Sequence, residues 1–374
     1  MRTQRSALGF TLIEVMITVA VFGTVTWYLG EVLIRQSRVY TVVDNLIETQ
    51  QNLRAVGSLI EEEIRTTGFL VPEGAAICGW DTLAGTPDVD PDVLFVTASE
   101  VIDPAGMNNL QLGAGVNGIV AATVFGSASV AFQLSTLVLD GNAFYDLDAN
   151  GTPESDFLFT AAPLRQGGVI FVDRGNPGRG TACGLITAIN TATNTITVDL
   201  TVAGAATPVA IQGAGGFVDL VAVPAHAYWI QGPNGPNPTL MRDGMVLAPD
   251  VEDLQIAFFY DLDDDDVVDN TPVGNVAPPF HSAVEYPGSN MPGSVYAPGS
   301  GNWDNSLLEE LRVTLVARTR TQDPEVLLNP ALAQGQPQSF ENRAPFGGAV
   351  DGFRRRSITM TVDPRNVGNR AAGF

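Results

Sequence analysis

Hydrophobic and polar positions follow three regimes along the chain. From Phe10 to Gly30 apolar residues occupy every face and Glu14 is the only charge. A helix needs ~20 such residues to cross a bilayer. From Val39 onward apolar residues recur at Val39, Val42, Val43, Leu46, Leu53, Val56, Ile60 and Ile64, the spacing of one helical face. Asp44, Glu48, Gln50, Arg54, Glu61, Glu62 and Arg65 lie between them. No proline interrupts Phe10 to Val71, and Thr66-Thr67-Gly68 supplies a stop in which Gly68 takes a left-handed cap. The pattern predicts one long helix, transmembrane over residues 10–35 and amphipathic over 36–68.

The third regime, residues 69–374, is β-patterned. Predicted strands are Val93–Thr97, Val130–Leu134, Val169–Asp173, Gly184–Ile189, Thr195–Leu200, Phe217–Val223 and Ala227–Ile230, then Leu254–Tyr260, Leu311–Arg320 and Ser357–Val362. They are rich in Val, Ile, Thr and Phe and bounded by Gly, Pro, Asn and Asp. Thr191-Ala192-Thr193-Asn194 reads as a hairpin turn. Residues 270–305 and 321–353 read as long loops, a length that is uncommon without a function. The aromatics of the first (Phe280, His281, Tyr286, Tyr296, Trp303) either form a partner-binding tip or fasten the loop to the sheet. The fold class is α+β: a long N-terminal helix packed on a large antiparallel β-rich head.

Composition narrows this picture. The chain has 374 residues, 45% of them hydrophobic, enough for a sizeable core, and a formal net charge of −22. All 19 basic residues are arginine. So acidic a surface repels phosphate backbones and argues against direct nucleic-acid binding. Arg2 and Arg5 precede the apolar run and stay on the cytoplasmic side by the positive-inside rule, which places the remainder outside. Cys78 and Cys183 then lie where disulfides persist. If paired, they close a loop of about 105 residues, for which chain-entropy models give roughly 4–5 kcal/mol. The alternative is two buried thiols.

A carboxylate at the mouth of a membrane-length run costs about 2.5–3.5 kcal/mol near a bilayer centre by insertion scales, so Glu14 has a task to perform. One simple role is to favour the positive end of the helix. An ordinary secretory signal would need small residues after the apolar core. Instead Glu31, Val32, Leu33, Ile34 and Arg35 follow Gly30.

The stretch Gly9-Phe10-Thr11-Leu12-Ile13-Glu14-Val15 resembles the class III signal of type IV prepilins and type II secretion pseudopilins. The resemblance implies that residues 1–9 are a leader cut after Gly9 by a prepilin peptidase. It implies N-methylation at Phe10, and a Glu14 that meets the amine of a neighbouring subunit. Ile60-Glu61-Glu62-Glu63-Ile64-Arg65-Thr66-Thr67-Gly68-Phe69 is similar to the helix end of PilW-type minor pilins. Tyr228-Trp229-Ile230, Leu240-Met241-Arg242, Val251-Glu252-Asp253-Leu254-Gln255 and Arg355–Asn366 follow the order of motifs in that family. GspJ-like pseudopilins share the layout. The resemblance implies a structural subunit in the inner membrane with its head outside, then in a pilus or pseudopilus with other pilins as partners.

Chemistry is sparse elsewhere. His226 and His281 are the only histidines, and no G-x-S-x-G or H-E-x-x-H pattern occurs. Gly113-Ala114-Gly115-Val116-Asn117-Gly118 matches G-x-G-x-x-G without a βαβ context and reads as a turn. Arg354-Arg355-Arg356 reads as a solvated strand start rather than a phosphate contact. Two acidic loops stand out. Asp146, Asp148, Asn150 and Glu154 place oxygens at loop positions one, three, five and nine, with Gly151 at six. Asp261, Asp263, Asp265 and Asp269 repeat this after the same Phe-Tyr-Asp-Leu-Asp lead-in. Such spacing suits a calcium shell of side-chain and carbonyl oxygens and resembles D-x-D-x-D-G loops. Phe157 and Pro272 stand where an EF-hand carries glutamate, and Asp266 replaces the glycine. Ordinary acidic turns remain the alternative. No enzyme activity is expected; a membrane-anchored adhesin or hydrolase that borrows the export signal is the rival outside the pilin class.

Overall fold

The computed structural model describes residues 11–68, 76–80, 91–97, 129–133, 167–173, 181–190, 195–199, 220–233, 235–261, 268, 308–328 and 351–364. Helix α1 runs Leu12–Thr66 without a break. It ends as its sequence requires, with Gly68 at φ 79° and the Thr67 N–H donating to the Ile64 carbonyl at 3.3 Å. Contacts divide the chain into two units, residues 1–48 and 49–374.

In the first unit the apolar side chains of α1 are open: Ile17 is 58% exposed, Phe22 71% and Leu33 65%. In the second, Thr49, Leu53, Val56, Gly57, Ile60 and Ile64 are buried against the head. Along the amphipathic face expected over 36–68 full burial begins at Thr49, while Val42 and Leu46 are half-buried and Val39 and Val43 stay exposed. At Gly57 a Cβ would stand 2.7 Å from Met360 Sδ, so a side chain there would have to displace that methionine.

The head contains β1 (Ile77–Trp80), β2 (Val93–Thr97), β3 (Ser129–Gln133), β4 (Gly168–Asp173), β5 (Thr181–Asn190), β6 (Thr195–Asp199), β7 (Leu220–Gln231), β8 (Thr239–Arg242), β9 (Met245–Pro249), β10 (Val251–Tyr260), β11 (Leu308–Arg318), a short helix α2 (Pro324–Leu328) and β12 (Arg355–Val362). One sheet has the order β1-β2-β7-β4-β5-β6-β3, with β8 and β9 added beside β7. A second sheet is β10-β11-β12. All pairings are antiparallel.

Several expectations need correction. The two strands expected at Phe217–Val223 and Ala227–Ile230 are, from Leu220 on, one strand, β7, although Pro224 lies inside it. Proline removes a ladder donor. Among the described residues the ladder to β2 reaches only Ala225, and Pro224 is paired with Val169 of β4 alone. Strands β1, β8 and β9 carry no strong sequence signal, being only 4 to 5 residues long. The turn between β8 and β9 is Asp243-Gly244, with φ 52° and 82°. Asp-Gly fits a two-residue hairpin that demands two positive φ values. The hairpin expected at 191–194 is supported by the Asn190↔Thr195 pairing that flanks it. The stretch 321–353 is not uniformly loop, since α2 lies within it, capped by the Asp323 carboxylate on the Glu325 N–H at 2.9 Å.

The first sheet is curled. Four strand steps separate β1 from β5, about 19 Å in a flat sheet. Yet Cys78 on β1 and Cys183 on β5 are joined by a disulfide with their Cα atoms 6.4 Å apart. Register explains what fills the curl. Cys78, Phe95 and Ala227 are successive partners across three strands and so share a face. With Val93, Ile170, Cys183, Ala225, Trp229 and Met241 they form one buried cluster. Gly168 leaves room for Phe95, whose ring a Cβ would meet at 2.5 Å. The opposite face carries Ile77, Leu94, Val96, Tyr228 and Ile230 into a larger core shared with α1 and the second sheet.

Candidate functional site

The N-terminal turn of α1 is the first place where chemistry gathers. Thr11 precedes the helix and Glu14 is its third residue. The Thr11 N–H donates to Glu14 Oε2 at 3.1 Å, its hydroxyl donates to the same oxygen at 3.0 Å, and the Glu14 N–H donates back to Thr11 Oγ1 at 3.4 Å. This is a reciprocal capping box, which satisfies donors that no helix can satisfy internally. The Thr-x-x-Glu spacing was its sequence signal. Glu14 thus has a role within its own chain in addition to any role between chains. Behind it runs an apolar helix long enough to cross a membrane. Gly9 and Phe10, the expected processing junction, lie outside the described residues.

The second place is where the end of α1 meets the sheet. Glu63 accepts from Arg242 Nη2 at 2.5 Å and from the Tyr228 hydroxyl. Arg242 also donates through Nε to the Tyr228 oxygen at 3.2 Å and through Nη2 to His226 Nε2 at 2.9 Å. Because guanidinium can only donate, Nε2 must accept, and the imidazole proton sits on Nδ1, facing Asp243 Oδ2 at 2.5 Å. Asp243 Oδ1 accepts the Ala227 N–H at 2.8 Å. Burial first, and then the Glu63 charge, push the Tyr228 phenol far above its usual range. Partial burial works against the Arg242 cation, but Tyr228, Glu63 and Asp243 outweigh it and raise its pKa. His226 and Asp243 form a dyad of the kind used in hydrolysis, but the second imidazole nitrogen meets a cation rather than a nucleophile. The arrangement fixes α1 to β7 and β8.

Helix end and sheet are joined a second time. The Thr67 hydroxyl lies 2.7 Å from the Ala76 carbonyl and 2.6 Å from the Thr97 hydroxyl, which itself lies 2.9 Å from Ala76 O. Farther along, two arginines of the triplet are engaged by carboxylates. Arg354 pairs with Asp323 at 2.6 Å, and Arg355 is held between Glu252 and Asp351. Burial works to raise the Asp351 pKa, but hydrogen bonds from Arg355 and the Phe353 N–H outweigh it and lower it.

The disulfide expected between Cys78 and Cys183 is present. Of the acidic loops, Asp261 is described and buried, 3% exposed, just beyond β10. Asp146, Asp148, Asn150, Glu154, Asp263, Asp265 and Asp269 lie outside the described residues, as do the loop 270–305 and the glycine-rich turn 113–118. Among the described residues no group of three His, Cys, Asp or Glu is arranged to hold a metal.

The family profile described as "Prokaryotic N-terminal methylation motif" matches residues 4–28. Neither a curated protein nor a solved structure matches the chain. The N terminus is therefore type IV prepilin-like, a class whose members are processed by prepilin peptidase and assemble with other pilins.

Proposed function

We propose that the protein is a PilW-like minor pilin, a structural subunit that helps to build or prime a type IV pilus. The observation that carries this reading is the methylation motif at residues 4–28 running into an exposed apolar helix. The membrane holds the precursor with its head outside. Peptidase cuts after Gly9, Phe10 is methylated, and the helix then passes from lipid to a filament core. There Glu14 exchanges its bonds to Thr11 for the terminal amine of a neighbour, since a lone charge in an apolar core is costly. A GspJ-like place in a secretion pseudopilus has the same N terminus; the partners recovered by crosslinking separate the two. The calcium assignment of the acidic loops belongs to the same proposal and rests on their spacing.

Mass spectrometry of the mature chain tests the core of this reading. The expected terminus is N-methylated Phe10, lost or slowed in Gly9→Val. A terminus mapped beyond Gly30 overturns it.

A further inference from the structure

The three-stranded sheet ends on an open edge at β12. This strand is 8 residues long and pairs with β11 from Arg355 to Val362 without a bulge. Just before it, in the same register, the Thr319 N–H donates to the Arg354 carbonyl at 2.8 Å. Hydrogen-bonded and non-hydrogen-bonded pairs alternate along an antiparallel ladder. The backbone groups of Arg356, Ile358, Met360 and Val362 therefore face β11, and those of Ser357, Thr359 and Thr361 face away from it. These last residues are exposed, and among the described residues no strand covers them. The opposite end of the sheet is engaged, since the Ile256 N–H on β10 donates to Asp92 Oδ2 at 2.7 Å. Natural edges are usually blunted by lysine, proline, a bulge or brevity. From Ser357 to Val362 β12 has none of these, and Pro364 comes only after it ends.

We propose that the β12 edge is a docking site for an extended, acidic strand of a partner protein, which joins the sheet antiparallel to β12. Main-chain hydrogen bonds supply the affinity of such a union and alternate side chains its specificity. Residues opposite Ser357, Thr359 and Thr361 share their face, and threonine or serine suits them. Those opposite Ile358 and Met360 suit apolar side chains, because Met360 belongs to the large core and Ile358 packs against it. Arg356 calls for the carboxylate. Arg354 and Arg355 are matched by Asp323, Glu252 and Asp351, but among the described residues Arg356 has no such partner, and its buried Nε makes no hydrogen bond. A second copy of this chain does not meet that requirement. In antiparallel pairing through the same edge, outward residues must face outward residues. Arg356 would then meet a residue such as Ile358, Met360 or Val362 and never a carboxylate.

The test is residue-resolved hydrogen exchange on the full chain in detergent micelles, with a pair of synthetic peptides as probes. In both, valine and threonine alternate; one carries glutamate near its C terminus, opposite Arg356, and the other glutamine there. In the free chain the amides of Ser357, Thr359 and Thr361 should exchange fast and those of Ile358, Met360 and Val362 slowly. The glutamate peptide should slow the first set and leave the second unchanged. Ser357→Pro removes an outward donor and no ladder bond. It should abolish that slowing while the second set keeps its protection, which shows that the sheet still forms. Arg356→Gln should weaken binding of the glutamate peptide roughly tenfold, the worth of one charged hydrogen bond, and erase its advantage over the glutamine peptide. No slowing with either peptide overturns the proposal. So does a first set already protected in the dilute free chain, or one that becomes protected as the chain is concentrated, which assigns the edge to a second copy. A glutamine peptide that binds the unaltered chain as tightly as the glutamate peptide overturns the acidic partner. None of these readouts depends on cleavage after Gly9, so failure here is distinct from failure of the pilin reading.

Discussion

The two parts of α1 are made of the same kinds of residue and meet opposite fates. Over residues 12–48 valine, isoleucine and leucine are exposed apart from the half-buried Val42 and Leu46; from Thr49 to Thr66 the same types fall to 2% for Leu53 and 0% for Ile60 and Ile64. What differs is arrangement. An apolar stripe can be covered by one sheet, whereas a helix that is apolar all round needs an apolar medium. Residues 39–47 are the instructive exception. They are patterned for one-sided cover, yet Val39, Val43 and Ile47 remain 60%, 45% and 47% exposed. Periodicity announces that a face will be covered, without saying by which chain.

The sharpest way to break the comparison is to truncate one residue in each part. Ile60→Ala should destabilise the head by about 2–5 kcal/mol in denaturant melts, the usual cost of such a core cavity. Ile17→Ala should leave the same melt unmoved. Equal effects would mean that the two parts share one core. Next in size is Glu63→Ala, which leaves Tyr228 and Arg242 without the carboxylate that joins them to α1. A loss of about 1–3 kcal/mol is expected, with Ile60–Thr66 amides exchanging faster; unchanged exchange would show that apolar packing alone holds the helix.

Calcium comes third. At ten times its dissociation constant, one site would stabilise the head by roughly 1.4 kcal/mol. Chelator should lower the melting temperature, and Asp261→Ala with Asp263→Ala should remove the second loop's share. A melt indifferent to chelator makes both loops plain acidic turns. The smallest effect is acid sensitivity from Asp351. Its pKa is lowered in the fold, so its contribution is present above the unfolded value, about 3.9, and lost as pH falls through the folded one. The carboxylate is 37% exposed, so the contribution is small. Asp351→Asn should flatten the acid limb slightly; an unchanged limb assigns that sensitivity to other groups.

How much of this was legible in the sequence varied with the range of the interaction. The helix, its stop at Gly68 and the β-rich head followed from periodicity and local turn chemistry. The strand through Pro224 did not, because its tolerance depends on the neighbouring strand, whose described ladder reaches only Ala225. The clasp of Glu63, Tyr228, Arg242, His226 and Asp243 joins residues up to 179 positions apart, and nothing local marks them as partners. Arg355 looked solvated for the same reason: its acceptor Glu252 lies 103 positions away. The Thr11–Glu14 box was local and readable, but the family resemblance drew attention to Glu14's role between chains and away from its role within one.

The pairing of Tyr260 with Leu308 has a consequence for how such a head can change over generations. The chain leaves β10 and re-enters at β11 from adjacent positions in one sheet. Its endpoints are fixed whatever lies between them. Lengthening the excursion costs little, about 0.6 kcal/mol per doubling of its length. The junction is where a change in loop length should least disturb the pairing of β10 with β11. A lineage could alter what its head presents there and leave the helix, the curl and their shared core untouched.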